Sequence, residues 1–273
     1  MLNKFSVLMS LYYAENTEHL DVCFKSLSEQ TVTASEIILV VDGPISKELQ
    51  DVVDIWLKLL NIKTLPLREN VGLSKALNIG LKHCSYDLVA RMDTDDICLR
   101  NRFGLQLEFM KNNPSVDICG GYSQDISSDG SFLSIRKVPT EHLDIKKKIW
   151  SCPFIHPSVM FRKEKILAIG SYNELAKHRQ DDYDLWIRAA FNGLKFSNIS
   201  EPLICYRVIE QAAKKNTVKV GFNRAMVGLK AVYSFDNHVV SYLALFYPLI
   251  RAMIPGRLQN SFSAVFTRFD PRR

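Results

Sequence analysis

Along the first third of the chain, short apolar runs alternate with amphipathic stretches. Phe5 to Tyr12 is an apolar run bounded by polar residues, the pattern of a buried parallel strand. A helix is expected next, because Leu20, Cys23, Phe24 and Leu27 fall at i, i+3, i+4 and i+7, with Asn16 or Thr17 as its cap. Glu36 to Val41 predicts a second buried strand, ending at Asp42-Gly43-Pro44. The cycle repeats. Leu49, Val52, Val53, Trp56 and Leu60 outline a helix, Ile62 to Leu67 a strand, Gly72 to Cys84 a helix and Tyr86 to Met92 a fourth strand. Such alternation predicts an α/β layer with a Rossmann-like, mainly parallel sheet flanked by helices, whose ligands gather at the carboxyl ends of strands.

Beyond a helix expected over Arg100 to Asn112 the pattern loosens, with strand-like runs at Val116 to Gly120 and Phe132 to Val138 and a helix opening at Gln180. No repeat or Gly/Ser linker divides the chain. The character changes near Val220, so residues 1–219 are read as one domain, with halves at about 1–112 and 113–219, and residues 220–273 as a helical tail.

Of the 273 residues 47% are hydrophobic, enough for a full core. The net charge of +6 is spread over most of the chain, which argues against a nucleic-acid surface. Six widely spaced cysteines without a CxxC pair point to neither zinc nor a disulfide framework, and the N-terminus lacks a signal peptide's apolar region, so a reducing cytosol is expected.

Arg91-Met92-Asp93-Thr94-Asp95-Asp96 sets three carboxylates in four residues behind an apolar strand. Their repulsion is costly without a cation, and Mg²⁺ or Mn²⁺ takes carboxylate oxygens together with phosphate oxygens; an acidic loop can equally be a solvated turn. Asp42 at another strand end is either a turn-forming Asp-Gly or an acceptor for a base or ribose. Asn70 to Ala76 opens a helix with Gly72 and Lys75 near its start, a potential anion site without P-loop spacing. Gln180-Asp181-Asp182-Tyr183-Asp184-Leu185-Trp186 places acids in a helix's first turn, where dipole compensation is the plain reading. Helical spacing sets Asp182 beside the apolar face and Asp181 toward water, which makes Asp182 the better positioned base. His156, ahead of Val159-Met160-Phe161, is either structural or a ligand contact.

Taken in order, these segments resemble an inverting family 2 glycosyltransferase of the GT-A fold, of the bacterial kind that builds O-antigen and capsule repeat units. The likeness runs over residues 4–207 and is carried by Phe5 to Tyr12, Val41-Asp42-Gly43, Asn70 to Gly80, Arg91 to Asp96, His156-Pro157-Ser158 and Asp181 to Trp186. It implies that Ser10, Leu11, Tyr12 and Asp42 hold uracil and ribose, that Asn70, Lys75, Arg91 and Thr94 lie near the nucleotide sugar, and that Asp95, with Asp93, binds Mn²⁺ or Mg²⁺. It implies Asp182 as catalytic base with Asp181 beside it, and His156 and Trp186 on the acceptor side. The implied substrates are a UDP-sugar, galactose or glucose favoured, and a sugar on undecaprenyl diphosphate. Two positions depart from the family pattern: Leu11 replaces a common proline, and Ile209 stands where many relatives carry a histidine, which leaves the metal one fewer ligand. A sugar nucleotidyltransferase would carry a Gly-rich loop where this chain has Leu11 to Asn16, and a non-catalytic binding protein would have lost the acidic pair or the base.

Val239 to Ile254 is apolar and aromatic but interrupted by Pro248 and Arg251, and from Arg251 onward five arginines, including Arg257, Arg268, Arg272 and Arg273, face the single acid Asp270. The segment is expected either to lie on an anionic membrane surface, at the cytoplasmic face of the bacterial inner membrane, or to pack on the core or on a second copy.

Overall fold

A computed structural model describes residues 4–176, 180–208 and 217–254. The first half forms as the pattern predicts. Strand β1 (Phe5–Leu11) is followed by α1 (Thr17–Ser28), whose cap is Asn16: its Oδ1 accepts from the amides of Glu18 at 2.8 Å and His19 at 3.0 Å. Then come β2 (Glu36–Val41), α2 (Lys47–Trp56), β3 (Ile62–Pro66), α3 (Leu73–His83) and β4 (Leu88–Arg91). Helix α2 stops before Leu60, which packs from the turn that follows. The second half holds β5 (Ile97–Cys98), α4 (Arg102–Asn112), β6 (Ile118–Ile126), β7 (Phe132–Arg136), α5 (His142–Lys147), β8 (Met160–Arg162), α6 (Lys163–Ala168), α7 (Asp181–Phe191) and β9 (Phe196–Arg207).

All nine described strands join one sheet in the order β3-β2-β1-β4-β8-β6-β9-β5, with β7 added on β6. β1, β2, β3 and β4 run parallel, and β8 pairs antiparallel with both β4 and β6. The chain winds to one side of β1 through β2 and β3 and then crosses to the other through β4. This is a topological switch point, where the strand ends leave a crevice.

Four strand spacings separate β4 from β5 in the sheet order, about 19 Å if the sheet were flat. The five residues Met92 to Asp96 that join them would have to be almost fully stretched to cover it. The sheet instead curls. It brings β5 back beside α1, where the Cys98 amide donates to Ser26 Oγ at 2.9 Å, and the acidic loop closes across the curl.

The tail forms α8 (Val218–Ala231), a short π-helical turn over Val232–Asp236, and α9 (Val239–Met253). Ala225, Ala231, Val232, Ala244 and Leu245 join the same buried cluster as Leu8 and Ile38 of the sheet. At Gly228 any Cβ would collide with the Tyr183 hydroxyl, so a hydrogen there lets α8 seat directly on α7. Of the two expectations for this segment, core packing is what the inner face of the described tail does, and a membrane segment is not supported there. The outer face remains apolar: Phe222, Met226, Val239, Val240, Leu243 and Met253 are exposed. No helix among the described residues is long and apolar enough to cross a membrane. Arg257, Arg268, Arg272, Arg273 and Ile209 lie outside the described residues.

Beneath the parallel half, the Glu36 carboxylate, 1% exposed, accepts from Ser6 Oγ (2.7 Å), Lys63 Nζ (2.6 Å) and the Ser85 amide (2.6 Å). Burial alone would raise its pKa, but these bonds outweigh it and hold the group at about 2. A depressed carboxylate stabilises the fold above its unfolded pKa and loses that contribution as the pH falls toward the folded value. Glu36→Gln should therefore cost on the order of 2 kcal/mol at neutral pH. The deficit should shrink as chemical unfolding is repeated from pH 5 down to about 2.5; a deficit constant over that range would contradict the assignment.

Candidate active site

The acidic loop leaves β4 at the carboxyl edge of the sheet, where the Met92 amide donates to Leu8 O at 3.1 Å and the Asp42 amide to Leu11 O at 2.7 Å. These bonds bring the ends of β1, β2 and β4 side by side. Asp93, Asp95 and Asp96 each offer a carboxylate oxygen, all within 4.8 Å of one another. Asp93 forms an ion pair with Arg91, whose guanidinium is buried and whose Nε has no hydrogen-bond partner among the described residues. Asp96 is 1% exposed: Oδ1 accepts from the Arg207 amide at 2.8 Å, and Oδ2 has no partner. Burial and the charge of Asp93 push Asp95 up to about 6, and burial with the same neighbouring charges pushes Asp96 well above the usual carboxylate range. A hard divalent cation fits this donor set, since it would satisfy the orphaned Asp96 oxygen and neutralise the crowded charge. With Asp93 held by Arg91, Asp95 and Asp96 are the carboxylates without an ion-pair partner among the described residues; the sequence pattern counted Asp96 in the cluster but assigned the metal to Asp95 and Asp93.

Two buried arginines fix the loop from below and behind. Arg102 of α4 donates from Nη2 to Arg91 O at 2.8 Å and from Nε to Gln106 Oε1 at 3.0 Å, while Gln106 Nε2 reaches Cys119 O and Ser158 O. Arg207, the last residue of β9, donates from Nε to Asp95 O at 2.9 Å and from Nη1 to Ser128 O at 2.8 Å.

Across the crevice stand the end of β1 and the loop that follows it. Ser10 is half-buried, Leu11 buried and Tyr12 exposed at the rim. Glu15, missed from sequence, is pushed up to about 8 by burial and by the charges of Asp95 and Asp93, while a hydrogen bond from buried Thr94 pulls the other way. Both Asp42 oxygens are engaged: Oδ1 accepts from the Val71 amide at 2.7 Å and Oδ2 from the Gly72 amide at 3.1 Å, and Asn70 Nδ2 donates to Asp42 O at 3.1 Å. Asp42 thus builds the loop before α3, with lone pairs left for a ligand. Gly43 makes this possible, since with φ at +85° its Cβ would stand 2.6 Å from the Asn70 nitrogen. Lys75 is exposed on the first turn of α3.

The other wall belongs to α7. Asp182 is half-buried, with Oδ1 accepting from the Tyr183 amide at 2.8 Å and Oδ2 from the Cys152 thiol at 3.7 Å. Burial and then the charge of Asp181 raise it to about 6. Asp181 does not turn to water as helical spacing suggested: it is 9% exposed, and its charge acts on the buried Tyr172 hydroxyl. The charges of Arg91, Asp181, Asp182 and Asp93 all act on the buried Tyr172 hydroxyl, which puts the start of the acidic loop and the first turn of α7 within electrostatic reach of one group. His156 Nε2 shares a hydrogen bond of 2.8 Å with that hydroxyl, and burial followed by the Arg91 charge keeps the imidazole neutral. Trp186, expected on the acceptor side, is wholly buried against Phe154 and His156 and presents no surface to a ligand.

The comparisons agree with this geometry. The mannosyltransferase PcManGT of Pyrobaculum calidifontis, solved with GDP-Man and Mn²⁺, superposes with a TM-score of 0.68 at 15% identity, over 100% of this chain and 83% of that one. The fold is the GT-A fold. The chain is 41% identical over 204 residues to the amylovoran biosynthesis glycosyltransferase AmsE of Erwinia amylovora, covering 74% of this chain and 76% of that one. It is 35% identical over 261 residues to the UDP-Gal:alpha-D-GlcNAc-diphosphoundecaprenol beta-1,3-galactosyltransferase of Escherichia coli, covering 95% and 93%. The family model for Glycosyl transferase family 2 matches residues 6–170, and with these relatives matched over most of its length, the chain belongs to that family.

Proposed function

We propose that this glycosyltransferase moves a hexose, galactose or glucose, from a UDP-sugar to a sugar held on polyprenyl diphosphate, with inversion, in bacterial surface polysaccharide synthesis. The observation that carries the reading is that Arg91 and Asp93, at the start of the carboxylate cluster, and Asp181 and Asp182 of α7 all act on the one Tyr172 hydroxyl. The Escherichia coli relative, matched over nearly the whole chain, supports the choice of donor and acceptor. In this reading residues 1–112 bind the donor and residues 113–219 the acceptor.

Ser10, Tyr12 and Asp42 at the strand ends hold the base and ribose, while Lys75 and Arg91 offer positive charge toward the diphosphate. Asp95 and Asp96, with Asp93, would hold Mn²⁺ or Mg²⁺, which when bound supplies positive charge to the departing UDP. Asp182 orients the acceptor hydroxyl and takes its proton at a carboxylate oxygen as the hydroxyl attacks the anomeric carbon. Its pKa near 6 makes it a stronger base than an exposed aspartate while leaving it mostly ionised at neutral pH. Neutral His156 and Tyr172 shape the acceptor wall. The exposed apolar face of α8 and α9 supports peripheral contact with the inner membrane where a lipid-linked acceptor resides.

Asp182→Asn should lower transfer by at least about a thousandfold, with UDP-sugar affinity within about threefold of wild type. Because the base acts ionised, kcat/KM should rise with pH through about 6 and level off above it. At pH 5 it should stand roughly tenfold below the plateau. Product formation read by chromatography tests both; retained transfer in Asp182→Asn, or a flat profile from pH 5 to 7, would remove Asp182 from the role.

A further inference from the structure

The tail helix α8 carries a cation to the base. Arg224 Nη2 donates to Ser151 O at 3.1 Å, and its guanidinium lies 4.5 Å from the centre of the Tyr183 ring. Its charge acts on both Asp182 and Cys152, yet it forms no ion pair with Asp182 or with any other carboxylate among the described residues. A half-buried guanidinium with five N–H donors, one of them committed to a carbonyl, has capacity left for an anion.

The turn that carries these contacts is held in place. Cys152 sits at φ +63°, a conformation side chains other than glycine rarely adopt. It is kept there by bonds from the Cys152 amide to Ile149 O (3.1 Å) and from the Ser151 amide to Lys148 O (2.8 Å), by the Tyr183 hydroxyl on Trp150 O, and by Trp150 Nε1 on Asp236 (2.9 Å). Consecutive residues of this turn therefore face two charges: Ser151 touches Arg224 and Cys152 touches Asp182. Cation and carboxylate thus flank one turn without an ion-pair contact between them.

We infer that Arg224 binds a phosphate of the acceptor's diphosphate, so that a hexose spanning from its anomeric diphosphate to its attacking hydroxyl is set with that hydroxyl on Asp182. The inference rests on the lipid-diphosphate acceptor reading and adds the residue that recognises it. It also gives the tail a catalytic purpose, since α8 supplies a contact that residues 1–208 do not.

The test compares two soluble acceptors of the same sugar, a short alkyl diphosphate ester and a methyl glycoside, in wild type, Arg224→Gln and Arg224→Lys. Wild type should prefer the diphosphate in kcat/KM. Arg224→Gln should cut that preference at least about tenfold, Arg224→Lys should fall between, and the KM for the UDP-sugar should not follow the same order. Calorimetric titration of the diphosphate ester into each protein with UDP present gives the same comparison without turnover. If Arg224→Gln keeps the wild-type preference and affinity, the assignment of Arg224 is overturned while the acceptor reading stands. If wild type shows no preference for the diphosphate, the acceptor reading falls and takes this inference with it.

Discussion

The whole molecule is arranged around one electrostatic problem: Asp93, Asp95 and Asp96 bring their carboxylates within 4.8 Å of one another in a partly dry loop. At an effective dielectric near 20, each pair of like charges at that range costs on the order of 3 kcal/mol, a sizeable share of a domain's net stability. Arg91 neutralises one acid, and the Arg207 amide and side chain hold the other two from β9. Arg102 and Gln106 brace the strand end beneath them through the carbonyls of Arg91, Cys119 and Ser158. What these groups leave unsatisfied is an Asp96 oxygen and the raised pKa values of Asp95 and Asp96, a remainder that a hard cation would fit.

The curl of the sheet follows from the same loop. A five-residue link cannot join β4 to β5 across a flat sheet and still gather its acids into a cluster, so closing the loop and curling the sheet are one event. The closure also sets Arg91 between the two halves of the site. Its charge reaches Asp93 as well as Tyr172, His156 and Asp182; at Asp182 burial and then Asp181 raise the carboxyl, while the Tyr183 amide, Arg224 and least of all Arg91 pull it down.

The parallel half was legible because its strands are uninterrupted apolar runs and its helices keep clean periodicity; Glu36–Val41 forms with the predicted bounds. The antiparallel half was not. β9 contains Glu201-Pro202, which reads as a break, and it survives because register shifts against β6 at Gly121 and Tyr122 absorb the proline. β6 extends beyond Gly120 through polar Ser123 and Asp125, which pair internally at 2.8 Å and with Arg136, so burial there depends on partners remote in sequence. For the same reason the candidate carboxylates could be located from their strand ends, whereas Asp96, Glu15 and Arg224 acquire roles only through the curl and the docking of α8. Asp181 was misplaced because a helical wheel holds no information on what packs around the first turn of α7, where Asp181 is buried.

The most direct measurement of the central claim is UDP affinity by calorimetry with and without Mn²⁺, in wild type, Asp95→Asn and Asp182→Asn. If the acidic loop is a metal-assisted nucleotide site, Mn²⁺ should tighten UDP binding at least about tenfold in wild type and in Asp182→Asn, and that gain should vanish in Asp95→Asn. Binding of UDP that is equally tight in EDTA, or a Mn²⁺ gain that survives Asp95→Asn, would contradict it.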